Sequence, residues 1–81
     1  MRLLVTGAAG FIGRAVTDAL ARQAGVEAVR LVDRVTPCLP QDARFEACCA
    51  DLAEPAEALA ALEGMDGVIH LASIPGGSAE A

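Results

Sequence analysis

Apolar and polar residues follow one another along this chain in blocks whose spacing predicts strands and helices. Four short apolar or alternating runs, bounded by turn residues, predict strands. These runs cover 3–5, 28–33, 44–49 and 68–72. One segment with helical spacing follows the first run, and a second occupies 52–64. The resulting order of strand, helix, strand, strand, helix and strand predicts an α/β fold built on a parallel sheet.

Each predicted helix has one face that we expect to pack on the sheet. In the first helix the inward positions are Ile12, Ala15, Val16, Ala19 and Leu20. The positions on its opposite side are Arg14, Asp18 and Arg22. In the second helix Leu59 and Leu62 are expected to face inward. Gly25 is placed to cap the first helix and Gly64 to follow the second, because glycine is favoured just after a helix.

Three glycines follow the first strand with the spacing G-x-x-G-x-x-G. Gly7 permits a sharp turn, Gly10 lets the backbone approach a phosphate, and Gly13 lets the helix come close to the strand. The amides around Phe11 and Ile12 would face a pyrophosphate at the positive end of the helix. A glycine-rich strand exit also occurs in ordinary loops, so its context must support the motif.

Asp33 supplies that context, because it ends the second apolar strand 20 residues after Gly13. An acidic residue at this distance is typical of a carboxylate that binds the adenosine ribose hydroxyls of a dinucleotide. The alternative is an ordinary residue at the start of a loop. Arg34 could meet a 2′-phosphate, but the Asp33 carboxylate should repel that group. NAD is therefore favoured over NADP.

The predicted elements fit a Rossmann-type sheet with strand order 3-2-1-4, in which the third strand lies outermost and the nucleotide crosses the carboxyl ends of the strands. The fourth run, 68–72, reads as a buried strand, yet nothing after it would cover its far side. We therefore expect residues 1–81 to be the N-terminal, incomplete part of one NAD(P)-binding domain.

Composition and charge exclude several partners. The net charge is −5, there is no lysine, and the six arginines are spread along the chain, so there is no basic patch for nucleic acid or an anionic membrane. Cys38, Cys48 and Cys49 lack the spacing of a disulfide framework or a zinc site. No signal peptide and no apolar stretch of membrane-spanning length is present. These features predict a cytoplasmic protein without a metal site.

Four stretches match the motifs of one known family in residue type and in order along the chain: 6–13, 31–34, 50–52 and 68–73. Together they resemble the NAD-dependent epimerase/dehydratase family, also called the extended short-chain dehydrogenases/reductases. The resemblance covers essentially the whole chain, but only the cofactor-binding half of the family's fold. The tail 73–81 further resembles a loop of the D-erythronate dehydrogenase-like members, which act on sugar acids.

The resemblance implies a role for several residues at the cofactor. Those implied at the pyrophosphate are Gly7, Gly10, Phe11, Ile12 and Gly13. Asp33 is implied at the adenosine ribose, and Asp51 with the backbone of Leu52 at the adenine. Those implied beside the nicotinamide ribose are Leu71, Ala72 and Ser73, the last in place of the usual alanine. Asp51 also suits the cap of the second helix, and the two roles can coexist.

Catalysis in this family depends on a Tyr-x-x-x-Lys pair assisted by Ser or Thr, and this chain has neither Tyr nor Lys. No catalytic residue is therefore assigned. His70 is expected to be a packed, hydrogen-bonded histidine of the fourth strand. The resemblance implies that the complete protein is an oxidoreductase or epimerase/dehydratase for a sugar, sugar nucleotide or sugar acid. A non-catalytic NAD(P)-binding redox sensor or interaction module is the alternative, and a homodimer is left open.

Overall fold

The computed structural model describes residues 1–71, which form four strands and two helices. In chain order the elements are β1 (Arg2–Thr6), α1 (Phe11–Ala21), β2 (Ala28–Asp33), β3 (Phe45–Cys49), α2 (Pro55–Leu62) and β4 (Gly67–His70). The predicted order is confirmed, and β2 has the predicted bounds. Among these residues no helix is long and apolar enough to cross a membrane.

The strands form one sheet of order β3-β2-β1-β4, in which every pairing is parallel. At the centre, Val5 of β1 is paired with Leu31 of β2 on one side and with Ile69 of β4 on the other. The α/β class and the strand order 3-2-1-4 are thus confirmed. Because all four strands run the same way, their carboxyl ends meet at one edge of the sheet.

Each face of the sheet carries one helix over its own apolar cluster. Towards α1, the buried members are Val5, Ala8, Val26, Val29, Leu31 and Phe45. Towards α2, the buried members are Leu4, Val32 and Ala61. The side chains of neighbouring strand residues point to opposite faces, so β1 and β2 contribute alternate residues to the two clusters.

The predicted inward face of α1 is wrong in part. The buried residues of α1 are Gly13 and Thr17, whereas Ile12 is 58% exposed. Ala15 and Ala19 are exposed as well, and Val16 and Leu20 pack against the cluster beneath. The reason is that α1 makes its closest approach through Gly13, which has no side chain and so does not register in a hydrophobic pattern. The buried Thr17 hydroxyl is satisfied by donating to the Gly13 carbonyl at 2.8 Å.

The C-terminus of α1 is held by Arg44, and not capped by Gly25 as predicted. The helix ends at Ala21, and its C-cap is Arg22 in right-handed backbone geometry. The Arg44 guanidinium donates to the carbonyl oxygens of Ala21 at 2.7 Å, Gln23 at 2.8 Å and Val26 at 3.0 Å. These carbonyls therefore find their partner on the chain segment that leads into β3, and a glycine turn is not needed.

α2 is shorter than predicted and packs through a different residue. Its buried residue is Ala61 at 3% exposure, whereas Leu59 is 70% exposed and Leu62 is exposed too. Arg30 of β2 donates to the Ala61 carbonyl at 2.7 Å and to the Glu63 carbonyl at 3.1 Å. These bonds fix the rotation of the helix end, so the two leucines lie off the sheet. Gly64 follows the helix with φ +80°, as predicted.

β4 is covered on one face, which corrects the prediction of a fully buried strand. Ile69 packs against the cluster under α1, but Val68 is 47% exposed on the opposite face. His70 is exposed rather than packed, although its Nδ1 lies 2.7 Å from the Thr6 hydroxyl. The reason is that α2 reaches the sheet through Ala61, over Leu4 and Val32 of β1 and β2.

Candidate dinucleotide-binding site

The glycine loop turns directly from β1 into α1. Gly7 has φ +70°, a left-handed backbone conformation that side-chain-bearing residues rarely adopt. Gly10 is the N-cap of α1 and has no side-chain capping bond, and the first helical turn contains no acidic residue. The positive end of the helix is therefore not neutralised by the helix's own side chains, which suits an anionic group.

The amides of Phe11, Ile12 and Gly13 precede the first backbone bond of α1. That bond runs from the Arg14 amide to the Gly10 carbonyl at 3.0 Å. The first amides of a helix have no partner within it and are available to a ligand. The Phe11 side chain is 87% exposed, so this residue is not part of the core.

The two later glycines of the motif serve different purposes. A Cβ at Gly13 would lie 2.6 Å from the carbonyl oxygens of both Gly7 and Ala8, which is too close for any side chain. A Cβ at Gly10 would meet only the Gly7 oxygen at 3.7 Å, an ordinary contact. Gly13 is thus required by the packing of the fold. The fold does not require Gly10, and the space beside it is open.

Asp33 joins the glycine loop to the neighbouring strands. Its Oδ2 accepts from the Ala9 amide at 2.9 Å, and its Oδ1 accepts from the Arg34 amide at 2.7 Å. Its carbonyl accepts from the Ala50 amide at 2.9 Å, where the chain leaves β3. Each carboxylate oxygen retains acceptor capacity for a further hydroxyl. Asp33 is therefore more than an ordinary residue at the start of a loop, because it fixes three segments at one point.

Asp51 does not cap α2. The N-cap is Glu54, and Asp51 instead accepts from the Ala53 amide at 3.0 Å in a local turn before the helix. The Asp51 amide donates to Oε1 of Glu57 at 2.7 Å. The cap interpretation of Asp51 is thus wrong, and its carboxylate stays at the carboxyl end of the sheet, next to Leu52.

The end of β4 is tied to β1 at the same edge. The Leu71 amide lies 3.1 Å from both the carbonyl oxygen and the hydroxyl oxygen of Thr6. The half-buried Leu71 side chain packs against the cluster under α1. Two residues implied beside the nicotinamide ribose, Ala72 and Ser73, lie outside the described residues.

Sequence reasoning missed four residues that build this edge: Thr6, Ala9, Cys49 and Glu57. The Cys49 thiol donates to the Arg34 carbonyl at 3.0 Å and so holds the start of the loop after β2. Thr6 precedes Gly7 at the end of an apolar strand, which was a usable signal. The other three act through pairings between distant segments, and no local pattern marks them.

The chain is also similar to known proteins. The sequence profile of the NAD dependent epimerase/dehydratase family matches residues 3–81. The chain belongs to the NAD-dependent epimerase/dehydratase family. Within residues 1–71, no three His, Cys, Asp or Glu residues are grouped so that they could hold a metal ion.

Relatives in this family include enzymes that act on sugar acids and on sugar nucleotides. D-erythronate dehydrogenase of Cupriavidus necator is 33% identical over 91 residues, which cover 100% of this chain and 28% of that enzyme. A mutant of uronate dehydrogenase from Agrobacterium tumefaciens, complexed with NAD, has a TM-score of 0.78 and 41% identity over 90% of this chain and 26% of that one.

A nucleoside-diphosphate-sugar epimerase from Agrobacterium tumefaciens has a TM-score of 0.81 and 35% identity. That match covers 91% of this chain and 24% of the epimerase. The chain thus spans about a quarter of the length of these family members.

Proposed function

We propose that this chain is the NAD-binding part of an oxidoreductase or epimerase that acts on a sugar, sugar nucleotide or sugar acid. The observation that carries the proposal is the position of Asp33, whose carboxylate ends β2 and accepts from Ala9 in the glycine loop at 2.9 Å. A carboxylate beside an uncapped helix N-terminus can bind ribose hydroxyls while the helix amides bind the adjoining pyrophosphate.

In this arrangement the pyrophosphate lies over Gly10, and the amides of Phe11, Ile12 and Gly13 donate to its oxygens. The exposed side chains of Phe11 and Ile12 leave these amides unobstructed by the core. Gly7 sets the direction of the turn. The site therefore offsets the protein's net charge of −5 by short-range amide dipoles, without any lysine.

The adenosine ribose lies against Asp33, and the adenine against Asp51 and the Leu52 amide. A 2′-phosphate would bring a second anion to the Asp33 carboxylate, so the site should favour NAD over NADP. The chain beyond β4, with Leu71, Ala72 and Ser73, would lie beside the nicotinamide ribose. When bound, NAD supplies a hydride acceptor, and the residues described here bind and orient it.

Substrate class is proposed from the relatives. Two of them, named for D-erythronate and uronate, act on sugar acids, and the third is named for nucleoside-diphosphate sugars. Asp33, Gly10 and α1 are not expected to contact such a substrate, since they lie under the adenosine and pyrophosphate. We therefore expect sugar acids to be the first substrates worth testing on the intact protein.

The proposal is tested by titrating the intact protein with NAD and NADP, for wild type and Asp33→Ala. Loss of the carboxylate should weaken NAD binding about tenfold or more, because hydrogen bonds to a charged group are worth about 1.5–3 kcal/mol. The preference for NAD over NADP should shrink as well. Glu27→Ala, at an exposed carboxylate near the opposite end of β2, is the matched control.

An unchanged ratio of NAD to NADP affinity in Asp33→Ala would remove Asp33 from the ribose site. Absence of NAD binding by wild type would overturn the proposal as a whole. NAD binding without turnover of any uronic or aldonic acid, sugar or sugar nucleotide would instead favour a non-catalytic redox sensor.

A further inference from the structure

Glu57 lies in the first turn of α2, yet its carboxylate reaches back beyond the start of the helix. Its Oε1 accepts from the amide of Asp51 at 2.7 Å, six residues earlier in the chain. The N-cap, Glu54, makes no side-chain capping bond. Glu57 thus orders the segment before the helix rather than the helix N-cap itself.

The backbone of this segment is almost fully hydrogen-bonded. The Ala50 amide donates to the Asp33 carbonyl at 2.9 Å, and the Glu54 amide donates to the Asp51 carbonyl at 3.0 Å. The Ala53 amide donates to Oδ1 of Asp51 at 3.0 Å. Within residues 1–71, the Leu52 amide is the one in this segment that has no partner. Oδ2 of Asp51 likewise accepts no hydrogen bond from the described residues.

A free amide donor and a free carboxylate acceptor on adjacent residues match one edge of adenine. Adenine donates from its 6-amino group and accepts at N1, so Asp51 can accept the former while Leu52 donates to the latter. Hypoxanthine reverses both features, because it accepts at O6 and carries a proton on N1. The pair should therefore distinguish the two bases.

We infer that Glu57 is a positioning residue for adenine. By holding the Asp51 amide, it orients the Asp51 carboxylate and the Leu52 amide so that they present this acceptor–donor pair. Glu57 itself does not touch the base. Four hydrogen bonds fix the segment around Asp51, and the bond to Glu57 is the one made by a side chain of α2. This inference rests on the proposed NAD-binding function.

The test measures the affinity of the intact protein for NAD and for its hypoxanthine analogue by calorimetry. Wild type should prefer NAD. Glu57→Ala should reduce that preference about fivefold to tenfold, because part of the effect of losing a charge-assisted hydrogen bond reaches the ligand. Binding of the analogue should change little, because it does not use the oriented pair.

Two further variants separate positioning from general effects. Glu57→Gln keeps an oxygen acceptor and should restore most of the adenine preference. Glu63→Ala removes the same side chain next to the other end of α2 and should leave the preference unchanged. Thermal unfolding of each variant checks that α2 remains folded, and alanine itself favours helix.

The measurements distinguish failure of this inference from failure of the proposed function. Absence of NAD binding by wild type overturns the proposed function, and the inference with it. Equal affinity of wild type for NAD and the analogue leaves NAD binding intact but overturns the adenine site and the role of Glu57. A full adenine preference in Glu57→Ala overturns the role of Glu57 alone.

Discussion

On the face of the sheet under α1, six buried residues among 1–71 form one cluster that extends from β1 through β2 to Phe45 of β3. On the opposite face, three buried residues form the cluster, and α2 contributes one of them, Ala61. Yet α2 is the more apolar helix, with a single charged residue in its eight. The apolar content of a helix therefore does not by itself determine how many residues are buried beneath it.

Both helices nevertheless end in the same way, on an arginine from a neighbouring part of the sheet. Arg44 binds the last carbonyls of α1, and Arg30 binds those of α2. Each arginine also meets a carboxylate: Asp42 lies 2.6 Å from Arg44, and Glu46 lies 2.9 Å from Arg30. The two faces thus share their helix-end contacts and differ in the number of buried residues beneath the helix.

The largest effect should come from Gly13→Val, which breaks the close approach of α1. The added side chain would start 2.6 Å from the carbonyl oxygens of Gly7 and Ala8, so the helix must move away from the turn that follows β1. We expect a loss of about 3 kcal/mol or more in the free energy of unfolding, measured in urea. A variant of nearly wild-type stability would show that the approach through Gly13 does not support this face.

Gly10→Val should separate binding from folding in the same loop. A Cβ at Gly10 meets only the Gly7 oxygen at 3.7 Å, so the helix should form as in wild type. The side chain would occupy the proposed pyrophosphate position and reduce NAD affinity about a hundredfold or more, equivalent to ~2.7 kcal/mol. Circular dichroism measures the helix content and calorimetry measures the NAD affinity. Wild-type NAD affinity in the variant would show that the pyrophosphate does not bind at Gly10.

Leu59→Ala tests the weak packing of α2. Leu59 is 70% exposed, so its truncation should change the free energy of unfolding by at most about 0.5 kcal/mol. Leu4→Ala, beneath Ala61 on the same face, is the matched comparison and should cost about 2–5 kcal/mol. Equal costs for the two leucines in urea unfolding would contradict the difference in burial that we describe.

The smallest effect concerns the pH dependence of the Arg44 contact at the end of α1. Hydrogen bonding to Arg44 lowers the pKa of Asp42 from its usual 3.8 to about 2. A lowered pKa in the folded state stabilises the protein above the unfolded pKa, and the contribution is lost as the pH falls through the folded one. The stability gap between wild type and Asp42→Asn should therefore close between about pH 4 and pH 2. A gap that is constant over this range would contradict the assignment.

The local pattern of the chain determines the strands, their order along the chain and the glycine loop. The bounds of β2 follow from an apolar run that ends in Asp33, and the turn at Gly7 follows from a strand that ends in glycine. These features depend on residues close together in sequence, where side-chain period and backbone freedom are sufficient information. For the same reason the position of Asp33 at the carboxyl edge could be predicted from its spacing alone.

The tertiary structure alone decided which face of each helix is buried and what holds the site together. The orientation of α1 depends on the contact of Gly13 with the backbone at Gly7 and Ala8. A pattern of hydrophobic residues does not reveal this contact, because glycine has no side chain. The link from Asp33 to Ala9 spans 24 residues, and the link from Arg30 to Glu63 spans 33. Such bonds depend on the register in which strands pair. They exist only once the sheet has formed.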